Sequence, residues 1–368
     1  MSLTPVNNNN KFKIMIDARI LEGNIRGMGY FLKQIIEELS VLDKKNEYIL
    51  FVNNKNKIKI NLNIGNNFSF CECNMPIGFT DIVVIPVIAN FLIKPDIIWF
   101  PANNCSPFLS KKIKIVSTIH DIMFFTQKYK VFTKQYFGSL YRKMFSTIAV
   151  KRADLINTRT LYNIKLFSNF FKTDEHKFFY FYTNGANLTN DPDDSILHRL
   201  NIQKNSYLYT ISGTSPNKNI EFTISAFKKF NKIVDKKYKL VVTGAYLKNR
   251  SDFNIIFTNY ITDREKNSLL ANCKLFLFLS KDEGFGVPPI EAIYNNCNIL
   301  LSNISNLVEL YSGYAHFVDI ENETDVAKKM LDIINKKIDY NKEKIIEKFS
   351  YQKGAKEMQN KMISLMEK

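Results

Sequence analysis

Short β-branched or aromatic runs alternate with amphipathic stretches along the chain, and that alternation admits few folds. A first series of runs falls at residues 12–16 (FKIMI), 48–52, 69–73, 96–100 (DIIWF), 113–119 (IKIVSTI), 154–157 and 177–182. A second falls at 206–211 (SYLYTI), 238–243 (YKLVVT), 254–258, 274–279 (KLFLFL), 298–302 (NILLS) and 315–318. Most are continuously apolar, as strands covered on both faces of a parallel sheet must be. Between them, residues 30–42 place Leu32, Ile35, Ile36, Leu39 and Leu42 on one helical stripe. Residues 219–234, 262–272, 289–295 and 322–335 read the same way. Two successive β-α-β series predict two doubly wound α/β units. The polar stretch 183–205 marks the break, giving domains 1–183 and 184–350. A closing helix within 351–368 is a candidate to pack back on the first.

A chain of 368 residues, 45% apolar and 23% charged, can bury two such cores. Five cysteines without zinc-site spacing suit a reducing compartment. The polar start, MSLTPVNNNN, reads as a loose leader and not a secretory signal. The longest apolar run, 82–93, is broken by Pro86 and Asn90 and is too short to span a bilayer. A cytoplasmic location is expected. The net charge is +16, of which residues 1–180 carry 25 − 13 = +12. That imbalance favours a polyanion such as a membrane leaflet, phosphate or nucleic acid, or reflects a lysine-rich proteome.

Residues 280–292, SKDEGFGVPPIEA, set two glutamates around two glycines and two prolines. The run 274–279 is a buried strand, and Pro288 and Pro289 suit the first turn of a helix. KDEGFG is then the loop at the carboxyl end of a parallel strand, where open α/β sheets bind ligands. Gly284 and Gly286 let backbone approach a ligand, and the helix start suits phosphate. Glu283 and Glu291 are placed as hydroxyl acceptors on one ligand; the plainer reading is a tight loop with two solvated glutamates.

Three further stretches lie after strands. In RGMGYF (26–31), Gly27 and Gly29 begin a glycine fingerprint but the third glycine is absent, so a Rossmann NAD site is not expected. They form either a ligand-approaching loop or a plain turn. In STIHDIMFF (117–125), His120 follows a buried strand, placed for a substrate hydroxyl, for acid–base chemistry, or simply as a capped loop residue. In ISGTSPNKNIEF (211–222), Gly213, Asn217 and Lys218 lead into a helix, where a lysine can neutralise a diphosphate or be merely solvated. The one Asp-x-Asp, Asp191-Pro-Asp193, lies in the linker and reads as cap chemistry, so no metal site is expected.

Taken together, DARILEGNIRGMGYFLKQIIEEL, HDIMFF, TNGAN, SGTSPNKNIEFTISAF and SKDEGFGVPPIEAIYNNCNILLSNISNLVEL resemble retaining glycosyltransferases of family 4, most of all bacterial polysaccharide mannosyltransferases. The resemblance runs nearly end to end. It implies the glycosyltransferase-B fold, two Rossmann-like domains facing across a cleft, the first for acceptor and the second for nucleotide sugar. It implies Glu283 on the donor sugar, Glu291 on the ribose, and Gly284, Phe285 and Gly286 on the sugar and diphosphate. Lys218 would meet the leaving diphosphate, His120 the sugar near the reacting carbon, and Gly27 and Gly29 the donor and acceptor. It further implies transfer with retention, no bound metal or other cofactor, and a GDP- or UDP-linked donor. The acceptor would be a glycan or lipid-linked glycan of surface polysaccharide synthesis.

Two positions depart from the family. Asn217 stands where an arginine is usual, which removes a charge against the diphosphate and leaves Arg250 or Arg264 as substitutes. Asn295-Asn296-Cys297 replaces a Cys-Gly turn, a mild change because Asn tolerates positive φ. The basic, aromatic stretch 128–145 either lies on an anionic membrane surface, making the protein peripheral, or packs its aromatics into the first core. Two other classes remain open. One is a transferase-like scaffold whose donor site has decayed; the other, a nucleic-acid binder, lacks any legible module, and no nucleic acid is expected.

Overall fold

A computed structural model describes residues 11–25, 27–126, 131–183, 191–213, 215–244, 253–336 and 338–367. Arg26, Lys128, Lys130, Thr214, Arg250, the leader, the TNGAN turn beyond Thr183 and the TGAYLKNR loop beyond Gly244 lie outside the described residues. The chain divides into two compact units, Met1–Thr183 with Ser350–Lys368, and Asn184–Phe349.

Each unit is built on one parallel sheet. In the first, β1 (Lys13–Asp17), β2 (Glu47–Val52), β3 (Phe68–Glu72), β4 (Ile97–Phe100), β5 (Lys114–Thr118), β6 (Leu155–Thr158) and β7 (Phe178–Tyr180) lie in the order β3-β2-β1-β4-β5-β6-β7. In the second, β8 (Tyr207–Ile211), β9 (Lys239–Thr243), β10 (Ile255–Asn259), β11 (Leu275–Phe278), β12 (Ile299–Ser302) and β13 (His316–Val318) lie in the order β10-β9-β8-β11-β12-β13. All pairings are parallel, with Met15 opposite Ile98 in the first sheet and Phe276 opposite Tyr209 in the second. The strand centres are covered on both faces: Ile14, Met15, Trp99, Leu208, Tyr209 and Leu277 are all buried. Each fully buried side chain of this size contributes about 1.5–3 kcal/mol of apolar transfer.

Helices cover the sheets. In the first unit these are α1 (Gly27–Leu42), α2 (residues 77–93), α3 (Lys134–Arg152) and α4 (Leu161–Phe171). In the second they are α5 (Ile220–Ile233), α6 (Asp263–Asn272), α7 (Val287–Tyr294), α8 (Ser305–Tyr311) and α9 (Glu323–Ile333). The last helix, α10 (Tyr351–Met366), belongs to the first unit, where Ala355, Met358 and Met362 share a core with Phe31, Leu32 and Ile35 of α1.

One helix is marked by no apolar stripe in the sequence. The apolar run at 82–93 is part of helix α2, which winds partly in wide i→i+5 turns, Lys94 N–H donating to Ala89 O. Pro86 sits inside it; a missing N–H and a ring that crowds the preceding turn are relieved by widening that turn. Apolarity here does not mean burial, since Phe91 is 69% and Leu92 72% exposed. Among the described residues no helix is long and apolar enough to cross a membrane.

Candidate active site

The second sheet reverses its winding between β8 and β11, and a doubly wound sheet opens a crevice at the carboxyl ends of such a pair. The two loops leaving these strands are residues 212–219 and 279–286. They are the two stretches that carry Gly213, Asn217, Lys218, Glu283 and the glycines.

The loops are tied to each other. Lys281 N–H donates to Asn217 O at 2.8 Å, and Asn217 Nδ2 donates to Asp282 O at 3.0 Å. Ser215 Oγ donates to Asn217 Oδ1. Asn219, held at φ +54°, donates from Nδ2 to Leu279 O at 3.2 Å. Asn217 is therefore a joint between the loops, a role that needs a short amide carrying both donor and acceptor.

This frame brings Lys218 and Glu283 together, Nζ to Oε1 at 2.6 Å. Lys218 also lies over the Phe278 ring, 5.2 Å from its centroid. Glu283 is buried, contrary to the reading of a solvated loop glutamate, and its carbonyl accepts from Asn306 Nδ2. Next to it, burial and the Glu283 charge push the Asp282 carboxyl above its ordinary pKa.

The turn into α7 is fixed by Gly286 at φ +78°, where a Cβ would stand 2.7 Å from Leu307 Cδ2. Its carbonyl accepts from Tyr311 Oη at 2.6 Å. Phe285 is a core anchor, packed edge-on against Phe349 at 5.7 Å. Pro288 and Pro289 occupy the first turn of α7 and lack N–H groups, so this helix start offers fewer donors than a bare terminus would.

Glu291, one turn into α7, is buried and paired with Lys266 of α6, Nζ to Oε1 at 2.8 Å. Burial raises the Glu291 carboxyl despite the lysine. For Lys266, burial pulls the ammonium down, but Glu291 and Asp263 outweigh it and its pKa is raised. No sequence motif singles out Lys266. A capping box between Thr262 and Glu265 fixes the start of α6 and so sets Lys266 one turn in. Gly213 lies after β8 with only Lys218 Cγ near, at 4.0 Å from a hypothetical Cβ. Arg264, a candidate substitute for the missing arginine, is occupied elsewhere, its Nε 2.9 Å from Asp191 Oδ2.

In the first unit the sheet reverses between β1 and β4. His120, just after β5, is buried, with Nε2 on Pro101 O at 2.8 Å and its ring edge-on to Phe31 at 5.3 Å. Burial, then the Arg159 charge, lower its pKa to about 3. The imidazole is neutral near pH 7, with Nε2 held on the Pro101 carbonyl. Gly27 and Gly29 open α1 one turn before Phe31. A Cβ on Gly29 would meet Ile25 Cβ at 2.7 Å and Ile20 O at 3.1 Å, whereas one on Gly27 would meet nothing within 4 Å. Gly29 is required by packing; Gly27 is not.

The first unit also holds a buried charge cluster that no sequence motif marks. Arg19 donates to both Asp17 oxygens, at 2.7 Å each, and to Asp81 Oδ1 of α2 at 2.5 Å. Tyr141 Oη of α3 donates to Asp81, and Asn104 Nδ2 donates to Asp17 at 3.1 Å. Burial alone would raise the Asp17 carboxyl, but Arg19 beside it holds it below its ordinary value. Among the described residues no group of three metal-ligating side chains is gathered.

Residues 194–353 match the family described as glycosyl transferases group 1. The Escherichia coli serotype-specific mannosyltransferase WbdA is 33% identical over 119 residues, covering 28% of this chain and 14% of that protein. The O-antigen chain mannosyltransferase RfbU of Salmonella typhimurium is 25% identical over 222 residues, covering 56% of this chain and 57% of its own. The fold is shared along nearly the whole chain with sucrose-phosphate synthase of Thermosynechococcus elongatus (TM-score 0.70, 14% identity, 97% and 99% covered). It is shared also with Anabaena HepE solved with UDP-glucose (TM-score 0.67, 14% identity, 96% and 100% covered). The chain has the glycosyltransferase-B fold, with one Rossmann-like sheet in each unit.

Proposed function

We propose that the protein, whose residues 194–353 match the glycosyl transferases group 1 family, transfers a hexosyl group, mannose or similar. The donor is a GDP- or UDP-linked sugar, and the acceptor a glycan or lipid-linked glycan of surface polysaccharide. The observation that carries the reading is the pair of lysine–carboxylate contacts, Lys218–Glu283 and Lys266–Glu291, at the β8/β11 crevice. The names of the WbdA and RfbU relatives support mannose.

The chemistry asked of the site is modest. A leaving nucleoside diphosphate gathers negative charge, and Lys218 supplies a fixed cation where it grows. On donor arrival Lys218 turns from Glu283 to phosphate, freeing the Glu283 carboxylate for sugar hydroxyls. Glu291, held by Lys266, accepts from the ribose hydroxyls. The neutral His120 ring contributes a hydrogen bond and no proton transfer. With these groups aligned, the acceptor hydroxyl needs chiefly positioning at the anomeric carbon. Retention of configuration, independence from a bound metal and a cytoplasmic, peripheral location complete the proposal.

Transfer of hexose from labelled GDP- and UDP-sugars to a lipid-linked acceptor tests it, with and without chelator. Wild-type protein is expected to transfer in both, and Glu283→Ala and Lys218→Ala to lose transfer while staying folded. Full activity in both variants would overturn the site; strict Mg²⁺ dependence would overturn the metal-free part. A scaffold that binds no donor is the second reading, motivated by Asn217, whose side chain is spent on joining loops instead of meeting phosphate.

A further inference from the structure

The outer face of α2 is apolar without interruption. Phe79, Val83, Val87, Phe91 and Leu92 are all exposed, and the one charged side chain within the helix, Asp81, points inward to Arg19. Asn90 anchors the next loop beside it, Nδ2 donating to Phe108 O at 2.9 Å and Oδ1 accepting from Ser110 N–H at 2.8 Å. That places Phe108, 63% exposed, next to the α2 tip. On the other flank, Tyr141 of α3 reaches Asp81. It lies within the 137, 140, 141, 144 stripe, so the exposed Phe137, Leu140 and Met144 run alongside α2. A monomer rarely leaves so broad a contiguous apolar face in water.

The charge around this face says what covers it. Lys94 follows α2 directly, and Lys111 and Lys112 follow Phe108; all three are exposed. Lys94, Lys111 and Lys112 add three positive charges beside a face whose own carboxylate, Asp81, is turned inward to Arg19. A second copy would set like charge against like. An anionic bilayer supplies both partners, acyl chains for the aromatic tip and headgroups for the lysines.

We propose that the outer face of α2, with Phe108 and the lysines around it, docks the first unit on an anionic lipid bilayer. The proposal rests on the transferase reading only for its purpose, which is to hold the protein where a lipid-linked acceptor lies; lipid binding itself does not need that reading. Of the stretch 128–145, one alternative for which is a membrane contact, the described residues from 131 on bury Phe145 and contribute Phe137, Leu140 and Met144 as a flank, while α2 supplies the wedge.

Flotation of the whole protein with phosphatidylcholine vesicles, with and without phosphatidylglycerol, tests this without donor or acceptor. Binding is expected only with phosphatidylglycerol and is expected to fall with salt. Replacing Lys94, Lys111 and Lys112 by Ala should weaken it by about fivefold per lysine. Phe91→Ser with Leu92→Ser should weaken it by at least about tenfold. Both variants should keep the wild-type far-UV circular dichroism and the wild-type transfer rate to a soluble acceptor. No partition into anionic vesicles, equal binding to neutral ones, or undiminished binding by the variants overturns the proposal. So does sedimentation showing a dimer that Phe91→Ser with Leu92→Ser dissolves. Failure of transfer alone would leave the docking surface standing, and failure of docking alone would leave the transferase.

Discussion

Replacing Lys218 by Met, with Glu283 left in place, asks directly what the donor loops hold. The contact is 2.6 Å long, with the glutamate side chain 8% and the lysine 26% exposed. At an effective dielectric near 20, charges this close attract by about 6 kcal/mol, most of it cancelled by their desolvation. Breaking a buried pair costs about 3–5 kcal/mol, and the partial exposure of Lys218 lowers that to about 2–3. Glu283→Gln should cost about 1 kcal/mol, because Lys218 can turn to water. The double variant should also cost about 1, so the cycle should give a coupling of about 2 kcal/mol. Urea unfolding followed by far-UV circular dichroism measures these losses. The single tryptophan, Trp99, is buried in β4 and reports the first unit separately by fluorescence. Losses that simply add would refute the pairing.

Other consequences concern the first unit. Gly29→Ala should lose about 1–3 kcal/mol in the Trp99-monitored transition from overpacking, whereas Gly27→Ala should be neutral or stabilising by up to about 1 kcal/mol. Reduced transfer by a fully stable Gly27→Ala would then report a ligand. His120 has a folded pKa of about 3 against an ordinary 6.5. A depressed pKa stabilises above pH 6.5 and loses that contribution as pH falls toward 3. Wild-type stability should therefore fall by up to about 1.4 kcal/mol per pH unit more than that of His120→Gln between pH 6 and 4. Parallel slopes would contradict a buried neutral ring.

The sheets were legible because strands buried on both faces announce themselves as apolar runs; those read at 48–52 and 298–302 match β2 and β12 to within a residue. The loop at Glu283 was legible because its glycines and prolines mark a strand-to-helix turn. What was hidden depends on side chains far apart in sequence. Lys266 meets Glu291 across two helices, and Arg19 meets Asp81 across 62 residues. Asn217 reads in sequence as a lost charge, while in the fold it is a hydrogen-bonded joint. Helix α2 was hidden for a different reason: Pro86 suggests a break, and its apolar residues face outward, so no amphipathic stripe marks it.

The proposed role of the second unit depends on whether the β8/β11 crevice holds a nucleotide sugar. Calorimetric titration with GDP- and UDP-linked hexoses measures this directly. One donor is expected to bind saturably at a single site. Glu291→Ala and Lys218→Met should each weaken it by at least about tenfold, the loss of one charge-assisted hydrogen bond. No heat with any donor, or undiminished affinity in both folded variants, would contradict it.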